Sequence, residues 1–205
     1  MTQDSLLDTY DRIAQRYAAS RSQSLFERGW LDRALAHTPR NGPQRRALDL
    51  GCGAGLPMAR YLSERRLEVT GVDGAPQMLA LFTQNLPRAE AIHADMRSLA
   101  LDRTFDLILA WDSLFHLSPD DQRAMFPIFA AHAAPNAALM FTTGSSAGEV
   151  IGTAGGAEIY HASLEPAEYD ALLSRAGFKR RAHIVEDPSC GHHTVWLATY
   201  AGHLN

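Results

Sequence analysis

Short apolar runs alternate with amphipathic segments along most of the chain beyond residue 46. Each run has the length of a strand buried in a sheet, and the segments between them repeat apolar residues at helical spacing. A further helical pattern at 10–36 precedes a breaker at 38–44 that contains Pro and Gly. The pattern predicts strands at 47–50, 67–72, 89–94, 105–111, 137–143, 178–185 and 193–200, and helices at 57–66, 76–86, 119–134 and 166–176.

Strands that alternate with helices predict a parallel sheet with helices on both faces. Only the last two strands lack a helix between them, because the short segment EDPSCGH at 186–192 joins them. A connection of this length allows an antiparallel pair but no parallel crossover. The chain is therefore predicted to be an α/β protein with a doubly wound sheet, mostly parallel, whose last strand is antiparallel.

Composition and charge narrow the partners that the chain is expected to have. With 205 residues, 46% of them hydrophobic, the sequence fits a single domain over 1–205. A formal charge of −4 gives no electrostatic reason to expect a nucleic acid or an anionic membrane as partner. Two cysteines are too few for a disulfide framework, and the N-terminal segment has neither a cationic nor an apolar targeting region. No apolar run approaches the ~18 residues of a membrane span, so a cytoplasmic location is predicted.

The stretch ALDLGCGAG at 47–55 ends the first predicted strand in three alternate glycines. In a parallel sheet this turn lies at the carboxyl edge, where ligands bind against the N-terminus of the next helix. Gly51, Gly53 and Gly55 permit positive φ and a close approach of the backbone to a ligand. The alternative is a tight turn between strand and helix that binds nothing.

Two carboxylates follow at the ends of the next two predicted strands. In TGVDGAPQML, Asp73 stands where a carboxylate can accept hydrogen bonds from both ribose hydroxyls of a nucleotide, unless it merely caps the next helix. In AIHADMRSL, Asp95 is suited to accept from an adenine amino group with Met96 against the ring, unless the segment is a plain polar turn. The ordered succession of glycine loop and carboxylates favours a nucleotide site.

Together with FDLILAWDSLFHL at 105–117, these segments make the chain resemble the class I S-adenosylmethionine-dependent methyltransferases of the bacterial small-molecule type, over residues 10–200. The resemblance implies a Rossmann-like sheet of seven strands, S-adenosyl-L-methionine as cofactor and S-adenosyl-L-homocysteine as product. The loop is GxGxG rather than the GxGxxG of nicotinamide dehydrogenases, which counts against hydride transfer. Carried over by position, the resemblance assigns cofactor contacts to Tyr17, Asp49, Gly51, Gly53, Gly55, Asp73, Asp95, Met96 and Trp111. Of these, Asp49 would orient the loop from beneath and Trp111 would flank the methionine end.

Two segments are predicted to cover the site. Residues 1–40 would form a helical lid, from which Tyr17 and Arg21 cover the cofactor as this family often does; an ordinary amphipathic helix packed on the sheet is the alternative. The glycine-rich stretch 144–164 is predicted as an active-site insertion, since connections of this length are usually functional or disordered. It would bring Glu149, Tyr160 and His161 to the same edge. Its alternative is a surface hairpin followed by a helix cap at Ser163.

Removing a proton from an acceptor requires a base at this edge. Asp112 and His116 lie four residues apart and would form a carboxylate-oriented imidazole if the stretch is helical; alternatively His116 packs in the turn and Asp112 caps it. The catalytic candidates are His116, Asp112 and His161, and one residue of the pair at 192–193 should also face the pocket. A zinc site built from these histidines is not favoured, because no short ligand spacing occurs and methyl transfer needs no metal. No metal is predicted.

The class of acceptor follows from the segment after the fourth strand. AWDSLFHL stands where amino-methylating DNA enzymes carry a [DNS]PP[YFW] tetrad, and the chain has no Pro-Cys nucleophile of cytosine-C5 enzymes. The predicted function is methyl transfer to an oxygen, nitrogen or sulfur of a small molecule, by in-line displacement with general-base or proximity catalysis, in a monomer or homodimer. A non-catalytic S-adenosylmethionine-binding regulatory protein and aminopropyl transfer in the same fold stay open as alternatives.

Overall fold

The computed structural model describes residues 3–38 and 45–202, apart from the side chains of residues 3 and 4. Its main sheet contains seven strands: β1 Arg46–Leu50, β2 Glu68–Asp73, β3 Glu90–His93, β4 Phe105–Ala110, β5 Ala133–Thr143, β8 Phe178–Asp187 and β9 His193–Tyr200. A separate hairpin is formed by β6 Gly148–Ala154 and β7 Ala157–Ser163. The helices are α1 Gln3–Ser20, α2 Arg28–His37, α3 Met58–Glu64, α4 Pro76–Asn85, α5 Pro119–Ala131 and α6 Pro166–Arg175.

The strand order of the main sheet is β3-β2-β1-β4-β5-β9-β8. Strands β1 to β5 pair in parallel, whereas β9 runs antiparallel to both of its neighbours, β5 and β8. The prediction of a doubly wound, mostly parallel sheet with an antiparallel last strand is confirmed. The strand order therefore places β9 between β5 and the edge strand β8.

Both faces of the sheet are buried, which explains why its central strands are continuous apolar runs. Leu107 and Leu109 of β4 pack into a cluster with α2, α3 and α4. Ile108 and Ala110, which point to the opposite face, pack into a second cluster with α5 and α6. These two clusters hold the carboxyl ends of the parallel strands in fixed positions, so the turns that follow them meet at one edge.

The ends of several elements differ from the sequence prediction. The helical pattern at 10–36 is interrupted between α1 and α2, and residues 39–44 of the predicted breaker lie outside the described ranges. Strand β5 begins at Ala133, earlier than predicted, because the carbonyl of His132 already accepts a hydrogen bond from the amide of Phe105 (2.8 Å). The start of α5 is as expected: Ser118 Oγ accepts from the amide of Asp121 (3.2 Å). Within the described ranges, no helix is long and apolar enough to cross a bilayer.

Candidate active site

A cavity lies at the carboxyl edge of β1, β2 and β4, beneath α1. We call it the first cavity. It is lined by the glycine loop, by residues that follow the strands and by one face of α1: Asp49, Gly51, Gly53, Gly55, Asp73, Met96, Trp111, Asp112 and His116 from the sheet side, and Leu6, Leu7, Tyr10, Tyr17 and Arg21 from the N-terminal side. Most of the residues predicted to contact the cofactor are therefore brought together.

The three glycines of the loop all have positive φ, but for different reasons. A Cβ at Gly51 would overlap the side chain of Ser113, and one at Gly55 would overlap Phe82 and Leu86. A Cβ at Gly53 would meet no atom within 4 Å. Side chains are thus excluded at Gly51 and Gly55 by the packing of the protein itself, and only Gly53 presents bare backbone to open space.

Asp73 lines the first cavity as predicted and also holds the glycine loop. Its Oδ2 accepts from the amide of Gly53 and its Oδ1 from the amide of Ala75, both at 2.9 Å. Burial raises the pKa of Asp73, while these backbone hydrogen bonds oppose the shift. Each carboxylate oxygen has a second lone pair, so Asp73 can accept further hydrogen bonds from a ligand.

Asp49 also lines the first cavity, and its side chain is almost fully buried. Among the described residues its carboxylate has no hydrogen-bond partner, and burial together with the nearby charge of Asp73 raises its pKa to about 7. The prediction that Asp49 orients the loop is not supported by this geometry. The loop amides of Gly51 and Cys52 instead donate to the carbonyl of Val72 (2.8 and 3.1 Å).

Asp95 and Met96 follow β3, but only Met96 lines the first cavity. The Asp95 carboxylate is hydrogen-bonded to Arg97, whose guanidinium donates to Oδ1 (3.1 Å) and to Oδ2 (2.6 Å). Burial would raise the pKa of Asp95, but the hydrogen bonds from Arg97 outweigh it and lower the pKa. The Asp95 carboxylate is thus turned towards Arg97 and does not line the first cavity, and the adenine contact of Asp95 stays a prediction.

The predicted pair of Asp112 and His116 is not formed. Asp112 has a φ of +49° and accepts instead from His193 Nε2 (3.0 Å), with Arg21 Nη1 at 3.6 Å. Burial would raise the pKa of Asp112, but the hydrogen bond and charge of His193 outweigh it and lower the pKa. Burial likewise favours neutral His193, yet Asp112 raises the pKa of His193 above its ordinary value. Because Nδ1 of His193 also faces the carbonyl of Cys190 (2.8 Å), these two residues form a half-buried ion pair beside Trp111, whose ring centroid lies 5.1 Å from that of His193.

His116 joins the two segments that cover the first cavity. Its Nδ1 lies 3.0 Å from the carbonyl of Tyr160 in β7, so this nitrogen carries the proton and Nε2 accepts from the Tyr10 hydroxyl of α1 (2.8 Å). Burial lowers the pKa of His116 to about 4, which keeps the ring neutral. With both nitrogens occupied by protein groups, His116 is not free to act as a base.

Helix α1 and the hairpin β6–β7 meet above the first cavity. Tyr17, predicted as a cofactor contact, packs edge-on against Tyr10 with ring centroids 5.4 Å apart. Gly155 at the tip of the hairpin would place a Cβ 3.6 Å from Tyr17. Tyr10 was not identified from the sequence, although it lies two helical turns before Tyr17 on the same face of α1, a spacing that could have indicated it.

Arg21 follows α1 and is held by a second residue that the sequence analysis missed. Arg21 Nη2 donates to Glu27 Oε1 (2.9 Å), and the Glu27 side chain is completely buried. Burial raises the pKa of Glu27. A buried carboxylate at this position ties the end of α1 to the start of α2 and directs Arg21 towards the first cavity.

The glycine-rich segment after β5 folds as the hairpin β6–β7, the alternative weighed from the sequence. Ser163 does not cap α6: its Oγ accepts from the amide of Gly144 (2.7 Å) and donates to the carbonyl of Ala162 (2.8 Å). The hairpin borders a second cavity. It is lined by Phe115, Thr143, Gly144, Ser145, Ser146, Ala147, Gly148, Glu149, Val150, His161, Ala162 and Ser163.

His161 is the catalytic candidate whose ring is free. No hydrogen bond to either ring nitrogen occurs within the described ranges, and burial lowers the pKa of His161, which favours the neutral imidazole. Its ring centroid lies 4.9 Å from that of His116 and 5.0 Å from that of Phe115. His161 and Phe115 line the second cavity whereas His116 lines the first, so a single layer of rings separates the two.

The histidines do not form a metal site among the residues that the structure describes. No group of three His, Cys, Asp or Glu side chains is arranged to hold an ion there. Of the pair at the β8–β9 turn, His193 turns inward to Asp112 and His192 is exposed.

Residues 47–136 match a family model described as a methyltransferase domain. Two curated relatives are the cypemycin N-terminal methyltransferase of a Streptomyces species, 34% identical over 107 residues, and the trans-aconitate 2-methyltransferase of Escherichia coli, 34% identical over 113 residues. The alignments cover 50% and 54% of this chain but only 42% and 41% of the relatives, so the chain spans about two fifths of the length of the curated relatives it matches. A third, the dTDP-3-amino-3,6-dideoxy-alpha-D-glucopyranose N,N-dimethyltransferase of Streptomyces fradiae, is 32% identical over 95 residues, 45% of this chain and 37% of the relative.

Solved structures cover nearly the whole chain. An S-adenosylmethionine-dependent methyltransferase from Clostridium acetobutylicum superimposes with a TM-score of 0.72 at 13% identity, over 97% of this chain and 99% of that one. The S-adenosylmethionine-bound amino pentose methyltransferase CalS10 from Micromonospora echinaspora gives 0.69 at 22% identity, over 97% of both chains. At these identities the likeness establishes the fold, which is that of the S-adenosylmethionine-dependent methyltransferases.

Proposed function

We propose that this chain transfers the methyl group of S-adenosylmethionine to a small molecule, since residues 47–136 match a methyltransferase domain. The observation that carries the proposal is the first cavity, where bare backbone at Gly53 and the carboxylate of Asp73 face the same space. A nucleoside fits open space that a Cβ at Gly53 would fill, next to a carboxylate with free lone pairs. The residues present therefore fit the cofactor, which leaves as S-adenosylhomocysteine.

The residues that line the first cavity would hold each part of the cofactor. Asp73 would accept from the ribose hydroxyls, and Met96 would pack against the adenine. Trp111 and Tyr17 flank the methionine end, where Arg21 also points into the cavity. Helix α1, within the lid predicted at 1–40, and the hairpin, within the insertion predicted at 144–164, close the site from above as parts of one domain.

The chain's part in the chemistry is to place the acceptor, exclude water and receive a proton. When bound, the cofactor supplies a methyl group already activated by its sulfonium, so positioning in line with the sulfur–carbon bond is the main requirement. Tyr10, Tyr17 and His116 shield the first cavity from solvent, while the Asp112–His193 ion pair fixes the end of β4. His161 receives the proton that the oxygen, nitrogen or sulfur of the methyl acceptor gives up, because the ring nitrogens of His161 are free.

Turnover is the experiment that tests the proposal. Purified protein is incubated with S-adenosylmethionine and a panel of small phenols, amines, thiols and carboxylic acids, and release of S-adenosylhomocysteine is measured. We expect release that depends on an acceptor. Tight cofactor binding without turnover of any acceptor would favour a regulatory protein instead, and decarboxylated cofactor as the better donor would favour aminopropyl transfer.

Alanine at Gly51 and at Gly53 is expected to have different consequences. Gly51→Ala should lower the free energy of unfolding by about 2 kcal/mol or more, since the new Cβ overlaps Ser113 in a left-handed backbone. Gly53→Ala carries only the left-handed penalty of about 1 kcal/mol but narrows the first cavity, and should weaken binding of S-adenosylhomocysteine. Denaturant unfolding and calorimetric titration separate the two effects. Equal losses of stability in the two variants, with unchanged affinity of Gly53→Ala for S-adenosylhomocysteine, would contradict the assignment of Gly53 as the position that faces the cofactor.

Replacing His116 with alanine is expected to loosen both covering segments. The variant loses the hydrogen bonds to Tyr10 and Tyr160, each worth about 1 kcal/mol, so cofactor affinity should fall about tenfold along with the melting temperature. Titration and thermal unfolding check this expectation. Unchanged cofactor affinity together with lost turnover in the variant would instead indicate that His116 acts as the general base.

A further inference from the structure

Asp49 is a buried acid at the first cavity whose charge no protein group neutralises. It is the second-last residue of β1, it lines the cavity, and it is only 6% exposed. Within the described ranges, neither of its carboxyl oxygens takes part in a hydrogen bond. The charged form of such a group loses its hydration without gaining a partner, so the neutral acid is favoured.

The charged groups nearest to Asp49 do not remove this cost. Burial is the main reason why the pKa of Asp49 is raised to about 7; the negative charge of Asp73 on β2 adds to the shift, and Arg21 opposes it. Arg21 Nη2 already bonds to Glu27 (2.9 Å), and Arg21 Nη1 lies 3.6 Å from Asp112. The guanidinium is thus held by two other carboxylates.

The other described side chains that line the first cavity supply no cation either. Asp112 is an anion that forms its ion pair with His193 (3.0 Å). The remaining ionisable groups are neutral near neutral pH, because burial raises the pKa of Tyr10, Tyr17 and Cys52 and lowers the pKa of His116 to about 4. A cation that neutralises Asp49 must therefore arrive with the ligand.

Given the proposed function, on which this inference rests, S-adenosylmethionine brings such a cation. Its sulfonium and ammonium are positive and its carboxylate is negative, so the molecule has a net positive charge, whereas S-adenosylhomocysteine has no sulfonium and is neutral overall. In the proposed arrangement Asp73 would bind the ribose and Arg21 lies at the methionine end, and the sulfur joins these two parts. The charges of both residues act on Asp49, so the sulfonium would stand within electrostatic reach of its carboxylate.

We propose that Asp49 is a specificity-determining residue that gives up its proton to solvent when the cationic cofactor binds and takes a proton back from solvent when the neutral product remains. The carboxylate formed on binding attracts the sulfonium, since an opposite charge within ~4–6 Å favours the ionised form of an acid. Methyl transfer leaves the electron pair of the broken carbon–sulfur bond on sulfur, so the sulfonium becomes a neutral thioether and this attraction ends. Asp49 thus favours the cofactor over the product at the same site.

Proton release measured by calorimetry tests the proposal. The heat of binding is recorded at about pH 6 in two buffers whose enthalpies of ionisation differ, and the difference in heat gives the number of protons released. We expect about one proton per S-adenosylmethionine bound and at most about half as many per S-adenosylhomocysteine. The α-ammonium groups of both ligands are already protonated at about pH 6, so they do not contribute to this difference.

Asp49→Asn locates the source of the proton. The variant keeps the size of the side chain but has no proton to give up, so it should release about one proton fewer than wild type with S-adenosylmethionine. Between about pH 6 and about pH 8, the affinity of wild type relative to Asp49→Asn should rise about tenfold for S-adenosylmethionine and less than about threefold for S-adenosylhomocysteine. Asp120→Asn, at a side chain that is 95% exposed, is the matched control and should release as many protons as wild type.

The outcomes separate this role of Asp49 from the proposed function. Equal proton release by wild type and Asp49→Asn would overturn the role, and so would equal release with the two ligands in wild type. If Asp49→Asn does not fold, the comparison of the two ligands in wild type decides. Binding of neither sulfur compound would overturn the proposed function and this inference with it.

Discussion

Replacing Asp73 with alanine is expected to lower the affinity for S-adenosylhomocysteine by about tenfold at least, and by more if both ribose hydroxyls donate to it. Charge-assisted hydrogen bonds contribute about 1.5 to 3 kcal/mol each, and 1.4 kcal/mol corresponds to about a tenfold change. The same carboxylate holds the amides of Gly53 and Ala75. The variant therefore loses the ligand contact and the shape of the glycine loop together, which makes this the largest effect expected on binding.

Calorimetric titration measures the loss, and two further variants locate its cause. Asp73→Asn keeps an oxygen that can accept from one backbone amide, so it should fall between wild type and Asp73→Ala. Asp120→Asn changes a carboxylate whose side chain is 95% exposed on α5 and should leave affinity unchanged. Wild-type affinity in Asp73→Ala would remove the ribose assignment and, with it, the interpretation of the first cavity as a nucleoside site.

Asp49→Asn is expected to make the protein more stable than wild type at about pH 8 and less stable than wild type at about pH 4. Burial raises the pKa of Asp49 from 3.8 to about 7, so the folded protein keeps a proton that the unfolded chain gives up between these values. Stability of the wild type therefore falls as pH rises through this window. The full shift corresponds to a change of about 4 kcal/mol in the stability difference between about pH 4 and about pH 8. Burial of the asparagine amide costs about 2 kcal/mol at every pH, so the variant should be about 2 kcal/mol less stable than wild type at the acid end and about 2 kcal/mol more stable at the basic end.

Denaturant unfolding of both proteins at a series of pH values tests this expectation. Only the difference between the two curves matters, because it cancels the titration of all other groups. Asp120→Asn, which alters an exposed carboxylate, should show no such divergence. A stability difference between the two proteins that stays constant from acid to neutral pH would mean that Asp49 is ionised in the folded state at all these pH values. That result would contradict the raised pKa of a buried carboxylate that has no hydrogen-bond partner among the described residues.

The sheet was predictable because the information that specifies it is local. Apolar runs of strand length, separated by amphipathic helices, require a covered parallel sheet, and one short connection requires the antiparallel last pair. The glycine loop and Asp73 lie at one cavity for the same reason: both stand at strand ends, and parallel strands end at one edge. The hairpin also had a local signal, since Gly155 and Gly156 between two short segments are the residues that a tight two-residue turn requires.

The partners of the histidines were not predictable from spacing. Asp112 and His116 are four residues apart, but the chain between them makes a turn and a single 3₁₀ turn at Leu114–His116, so the two side chains do not share a helical face. The left-handed backbone of Asp112 directs its carboxylate to His193, which arrives from the far end of the chain through β9. Tyr10 and Tyr160 reach His116 in the same way, from segments whose relative positions only the tertiary structure determines.

The central claim is that the glycine loop and Asp73 bind a sulfonium nucleoside, and one measurement tests it most directly. Purified wild-type protein is titrated in a calorimeter with S-adenosylmethionine, S-adenosylhomocysteine and NAD in parallel. We expect micromolar binding of the two sulfur compounds and no binding of NAD, because the loop lacks the GxGxxG spacing that binds a pyrophosphate. Binding of NAD alone, or of none of the three, would contradict it.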